Sequence, residues 1–251
     1  MTFDFRDVGF VASLGKNTFN SLHGDAGLVA YYKFDEASGN IINQSLDSTK
    51  IANSDIVITG ATYSATGKIG NALSFDGIND SGITSSSAIA DWKFLHNTGF
   101  DVSISVWIYV DNTSAGTRGI VATMNGNSSD NGFLFFQSGN LVKIISQVGT
   151  TSQFFASTNT LTASAWNHVV LTINETTNDV KIYINNSVDT GASYNKTSTV
   201  NPESVMGIMW DTQSGSYLPG DIDELTIFKD RVLTSAEVSS LYNSGNGMEI
   251  Y

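Results

Sequence analysis

Three acids in four residues, Asp221, Asp223 and Glu224, open the segment GDIDELTIFKDRVLTSAEVSSLY at residues 220–242. Carboxylates this close can serve glycoside hydrolysis, hold a cation or form a solvated strand rim. A hydrolase needs two carboxyl groups flanking the scissile bond, about 5–5.5 Å apart for retention or about 6.5–9.5 Å for inversion. On one strand that pair is written Glu-x-Asp-x-Glu or Glu-x-Asp-x-x-Glu, because alternate residues share a face. The glutamates, Glu36, Glu175, Glu203, Glu224, Glu237 and Glu249, stand in no such array. Asp221 and Asp223 alternate suitably, but Leu225 and Thr226 occupy the place of the third acid. Alternation also predicts Glu224 on the face opposite Asp223. Arg6, Arg118 and Arg231 are too scattered for a carboxylate-binding cluster. No G-x-S-x-G elbow, P-loop, dinucleotide fingerprint or H-E-x-x-H occurs. The chemistry read from the sequence is therefore non-enzymatic. A cation suits the acids better: calcium takes about six to eight oxygens, and FDGIND offers Asp76, Asn79 and Asp80 with Gly77 to bend the chain. The same residues would equally shape a turn through side-chain to backbone bonds.

The elements that must position these groups belong to one large β-domain. The chain has 251 residues, 41% hydrophobic and 14% charged, enough to bury a core. A net charge of -12 argues against nucleic acid, which needs a basic patch, and against anionic membranes. There is no cysteine, so neither disulfides nor thiolate metal sites arise. No apolar run reaches a membrane span. The start, MTFDFRDVGFVASLG, does not read as a secretory signal. Residues 1–24 carry Phe3, Phe5, Val8, Phe10, Val11, Leu14 and Phe19 without a steady period. They are expected to form either an extra strand or an assembly arm, ahead of a domain spanning 25–251.

Short strands are expected at 28–34, 71–77, 102–110, 119–124, 133–137, 141–146, 168–173, 180–184, 204–210 and 223–228, separated by polar turns. In 102–110, Val102, Ile104, Val106, Ile108 and Val110 share a core face, and Ser103, Ser105, Trp107 and Tyr109 an open polar-aromatic one. Residues in the 40s to 60s and 185–203 read as long loops. The helix expected at 234–242 starts with Thr234 and Glu237 as a T-x-x-E capping box.

In that order, GLVAYYKFDEASGN, GKIGNALSFDGIND, VSISVWIYVD, WNHVVLTIN with VKIYINNSVDTG, and GDIDELTIFKDRVLTSAEVSSLY resemble laminin G-like domains of the concanavalin A-like superfamily, nearest the bacterial and phage branch. The resemblance covers about residues 27–242. It implies an all-β, two-sheet antiparallel jelly-roll sandwich with one short C-terminal helix. It implies structural roles for Trp107 and Trp166, and His168 of WNHVV is read likewise. It also implies one structural calcium ion, with Asp76, Asn79, Asp80 and Asp223 as ligands and Asp35 and Glu36 as weaker ones. The aromatics left over, Trp92, Trp210 and Tyr217, with Tyr194 behind them, are candidates for stacking a sugar or for capping the sandwich edge. The function expected is a virion-associated or extracellular adhesion protein, such as a phage decoration, fibre or tail component. Its partners would be a glycan or host surface, with capsid or tail proteins held through residues 1–24. A secreted or surface bacterial carbohydrate-binding module is the alternative, and a glycoside hydrolase the third reading.

Overall fold

The computed structural model describes residues 27–250, apart from 115, 125–128, 192 and 211–215. The expected arm at residues 1–24 lies outside the described residues. Along the chain run β1 (Leu28–Tyr32), β2 (Val57–Thr59), β3 (Thr62–Thr66), β4 (Asn71–Phe75), β5 (Ser81–Ile83) and a 3-10 helix (Ser86–Leu95). Then come β6 (Val102–Val110), β7 (Arg118–Ala122), β8 (Gly132–Ser138), β9 (Leu141–Val148) and β10 (Thr151–Ala156). The last elements are β11 (Ala165–Asn174), β12 (Asp179–Ile184), β13 (Ser187–Gly191), β14 (Gly207–Ile208), β15 (Gly220–Lys229) and helix α1 (Ser235–Tyr242).

Two antiparallel sheets make the sandwich. Sheet I has the order β13-β12-β11-β6-β15-β4-β3, with β1 also paired to β15, and sheet II the order β10-β9-β8-β7-β14-β5-β2. The core fills the space between them. Val102, Ile104, Val106, Ile108 and Val110 of β6 point inward to meet Phe133 and Phe135 of β8 and Val142 and Ile144 of β9. The period-two alternation of β6 thus places its apolar face as expected. Its other face is not open along its length, because Ser103, Ser105 and Trp107 are buried and Tyr109 alone is half-exposed.

The cover on that outer face is α1 with the chain after it. Thr234 accepts from the Glu237 amide while the Glu237 side chain accepts from the Thr234 amide, so the capping box is formed. Val238 and Leu241 then pack with Leu28, Tyr31, Val170, Tyr183, Phe228, Leu233 and Ile250 in a second apolar cluster. A helix of 8 residues is marginal alone, so this packing holds it. Among the described residues no helix is long and apolar enough to cross a membrane.

Candidate functional site

The acidic segment lies on β15, where the strand changes parity. Its pairing with β6 runs evenly from Gly220 to Asp223, then shifts before Thr226. Glu224 takes a left-handed φ of 51° at this bulge. Leu225 turns into the core, and Glu224 joins Ser105, Trp107, His168 and Thr226 beneath α1. This corrects the alternation, which puts Glu224 and Asp223 on opposite faces: the extra residue brings both to the outer face. There Glu224 Oε2 accepts a 2.6 Å bond from the Tyr31 hydroxyl. Burial pushes its carboxyl up to about 7, against the opposing pull of the Tyr31 bond. His168 is buried beside it with Nε2 2.9 Å from Ser105 Oγ, in a ring stack with Trp107 and Tyr242. Burial lowers His168 to about 3, so it is neutral and structural. Lys68 Nζ lies 4.8 Å over the Trp107 ring. Neither Asp223 nor Glu224 reaches solvent, with exposures of 0% and 5%. A pair roofed in this way cannot flank a glycosidic bond.

The four expected calcium ligands do not converge. Asp76 Oδ1 accepts from the amides of Ile78 at 2.8 Å and Asn79 at 3.3 Å, and Asp80 Oδ2 accepts from the Asp76 amide at 2.9 Å. That group shapes a turn. Phe75 pairs with Gly220 and Leu73 with Ile222, so Asp76 and Asp223 are four residues apart along paired strands, roughly 13 Å. One ion cannot bridge them, because calcium–oxygen distances are about 2.3–2.6 Å. Asp223 instead meets Asp35 at the turn 67–71. Asp223 Oδ2 accepts from the Ile69 amide at 2.8 Å, and Asp35 Oδ1 from the Asn71 amide at 2.7 Å. The fit needs glycine: a Cβ at Gly70 would lie 2.5 Å from Asp35 Oδ1 and one at Gly67 2.9 Å from Asp223 Oδ2. Asp223 Oδ1 is buried without a hydrogen-bond partner. Burial first, then the neighbouring Glu224 and Asp35 charges, push the Asp223 carboxyl up to about 8. Among the described residues no three His, Cys, Asp or Glu side chains gather to hold a metal, so any ion here needs backbone carbonyls and water as well.

Of the expected sugar-binding aromatics, the structure brings two together. After β14 the Met209 amide donates to Ile120 O and the Leu218 amide to Met209 O. Trp210 and Tyr217 then form an antiparallel bridge that closes the loop between them. Their rings stack at 5.8 Å and 7°, and both residues are half-buried. The turn 76–80 packs onto this segment, since a Cβ at Gly77 would meet Pro219 Cβ at 2.6 Å. Its tip, Ile78, is 73% exposed. Aromatic rings and the Asp76, Asn79 and Asp80 turn thus share one end of the sandwich. Trp92 is a correction: it sits on the 3-10 helix at 0% exposure in the core, packed on Phe94, so no sugar can reach it. Tyr194 is likewise buried in the core.

Trp166, expected to be structural, is half-exposed and meets half-exposed Tyr109 edge-on at 5.9 Å and 73°. Register is the signal that could have found them, because β11 and β6 set the two residues opposite each other.

With this geometry in place, comparisons locate the chain among known proteins. The laminin G type family profile of the concanavalin A-like lectin/glucanases superfamily matches residues 79–239. No curated protein matches the sequence. The fold is similar to the binding domain of Paraclostridial Mosquitocidal Protein 1, with a TM-score of 0.66 at 18% identity, covering 87% of this chain and 52% of that one. It is similar also to the binding domain of botulinum neurotoxin DC solved in complex with rat synaptotagmin II, with a TM-score of 0.65 at 13% identity, covering 90% and 52%. For the botulinum neurotoxin serotype D binding domain the TM-score is 0.62 at 13% identity, covering 90% and 53%. This chain spans about half the length of each. At these identities the likeness is one of fold.

Proposed function

We propose that this chain, which belongs to the laminin G-like family of the concanavalin A-like lectin/glucanases superfamily, is a non-catalytic domain that binds carbohydrate on a surface. The observation that carries the reading is the Trp210–Tyr217 pair. Two parallel rings at the loop end offer an apolar face on which a pyranose ring stacks. The polar turn 76–80 lies at the same end with Asp76 and Asn79 exposed to meet its hydroxyls, while buried Asp80 holds the turn. Two acids of β15 support the non-catalytic part, because Glu224 lies under α1 and the tail and Asp223 is buried against the turn 67–71. That the similar solved structures are titled binding domains is consistent with this reading. An array of immobilised glycans tests it. Wild type is expected to retain at least one glycan, and Trp210→Ala to lose it while remaining folded. Equal retention by both would remove the pair from the site.

A calcium ion fits this reading at Asp35 and Asp223, which would hold it beside the carbonyls of the turn 67–71. Its charge would satisfy the lone Asp223 oxygen and fasten the turn to β15.

The apolar sequence of residues 1–24 favours a finer placement, on a virion as a decoration, fibre or tail component. There the first 24 residues would hold capsid or tail proteins while the sandwich faces a host glycan. Deleting residues 1–24 is expected to abolish association with the particle and to leave glycan retention intact. Unchanged association would remove the arm from assembly.

A further inference from the structure

The outer face of sheet I is covered from its lower end upward, and the cover stops one row short. Each row across the strands follows from register. Asp223 pairs with Trp107, and Trp107 with His168. These three are 0%, 3% and 1% exposed, Trp107 and His168 against Tyr242 and Asp223 against the turn 67–71. One step up, Trp166 pairs with Tyr109, Tyr109 with Asp221, Asp221 with Ser74, and Ser74 with Thr62. All five alternate with inward residues and point to the same outer side, because Leu73, Phe75, Ile108, Val110 and Ile222 lie in the core. None of the five is buried: Thr62 is exposed and the others half-exposed. Among the described residues this row thus stays open across five strands. Four strand spacings give it a length of roughly 19 Å.

We infer that this row is a second subsite for carbohydrate, taking a neutral oligosaccharide across the strands. The inference rests on the glycan-binding reading above and extends it to a different face. Trp166 and Tyr109 meet edge to face, so their free faces lie at an angle and can hold successive rings of a bent chain. Asp221 sits beside Tyr109 as a hydrogen-bond acceptor for sugar hydroxyls, and Ser74 and Thr62 continue the line with hydroxyls of their own. Charge decides the class of ligand. The row holds a carboxylate and no cation, Asp111 adds its negative charge beside Asp221, and the whole chain carries -12. The neighbouring cation, Lys68, lies over the Trp107 ring one row below. A sialylated, sulfated or phosphorylated glycan would be repelled, whereas a neutral one loses nothing.

Calorimetric titration with maltotetraose, cellotetraose, mannotetraose and N-acetylchitotetraose tests this, using wild type, Trp166→Ala, Asp221→Asn and Trp210→Ala. Wild type is expected to bind at least one tetrasaccharide. Trp166→Ala should weaken it about five- to tenfold, the loss of one stacking contact. Asp221→Asn, which keeps shape and removes the charge, should weaken it severalfold and covers the case in which Trp166→Ala folds poorly. If Trp210→Ala abolishes binding while both row variants equal wild type, the row is not a subsite and the loop-end reading stands. If both row variants bind weakly and Trp210→Ala equals wild type, the row stands and the loop-end reading fails. If wild type binds no tetrasaccharide, the row proposal is overturned, and any retention on the glycan array still judges the loop-end reading separately.

Discussion

The outer face of sheet I has two halves that share strands β6, β11 and β15, and they differ in almost every physical respect. The lower half places Glu224, His168, Ser105 and Tyr31 under α1 and the residues up to Ile250, with Asp223 against the turn 67–71. Tyr31 donates to Glu224 and Ser105 pairs with His168, and burial raises both acids and depresses the histidine. The upper half places Trp166, Tyr109, Asp221, Ser74 and Thr62 toward solvent, exposed or half-exposed among the described residues. Residue type alone separates the halves poorly, since each holds aromatics, hydroxyls and acid. Cover separates them. The lower half spends its side chains on holding the fold, and the upper half leaves them available to a ligand.

Substitutions should sort by half. The largest effect is expected from Leu241→Ala, which empties a buried place between α1 and the sheet. A loss of about 2–5 kcal/mol, or on the order of 10 °C in Tm, is expected in a thermal melt, with glycan retention unchanged below the transition. Next is the ion proposed at Asp35 and Asp223. Calcium at about a hundred times its Kd should add about 2.7 kcal/mol over chelated protein. Asp223→Asn should erase the difference, and a difference that survives would move the ion elsewhere. Tyr31→Phe removes the 2.6 Å donor to Glu224. It should cost about 1–3 kcal/mol in denaturant melts, the penalty of a buried acceptor left short of a partner. Smallest in stability is Asp221→Asn in the open half, expected within about 0.5 kcal/mol of wild type.

The same contrast marks how far the sequence could be read. The β6 alternation gave its core face, the T-x-x-E box gave α1, and the five ordered motifs gave the sandwich, because each rests on local periodicity or capping. β2, β3 and β13 were hidden in stretches taken as loops, since Ser, Thr, Asp and Gly hold strands whose outward positions stay wet. Sheet pairing, not composition, makes them strands. Parity failed at Glu224 because a bulge has no reliable mark in DELT. Trp92 seemed free because nothing in SSAIADWKFL shows that its short helix turns the indole into the core. The half-exposure of Trp166 is not legible in WNHVV, because whether a strand face is covered depends on a helix nearly 70 residues away. Trp210 and Tyr217 are legible as separate candidates, while their pairing and stacking need the bridge between them.

One experiment sets the covered face against the aromatic loop end most directly: Trp210→Ala and Leu241→Ala measured side by side for Tm and for retention on the glycan that wild type selects. The expected result is a crossed pattern. Trp210→Ala keeps a Tm within a few degrees of wild type and loses retention, while Leu241→Ala loses on the order of 10 °C and keeps retention. If Trp210→Ala retains the glycan as wild type does, or if its retention falls only in step with its Tm, the aromatic loop end is part of the fold and not the binding surface.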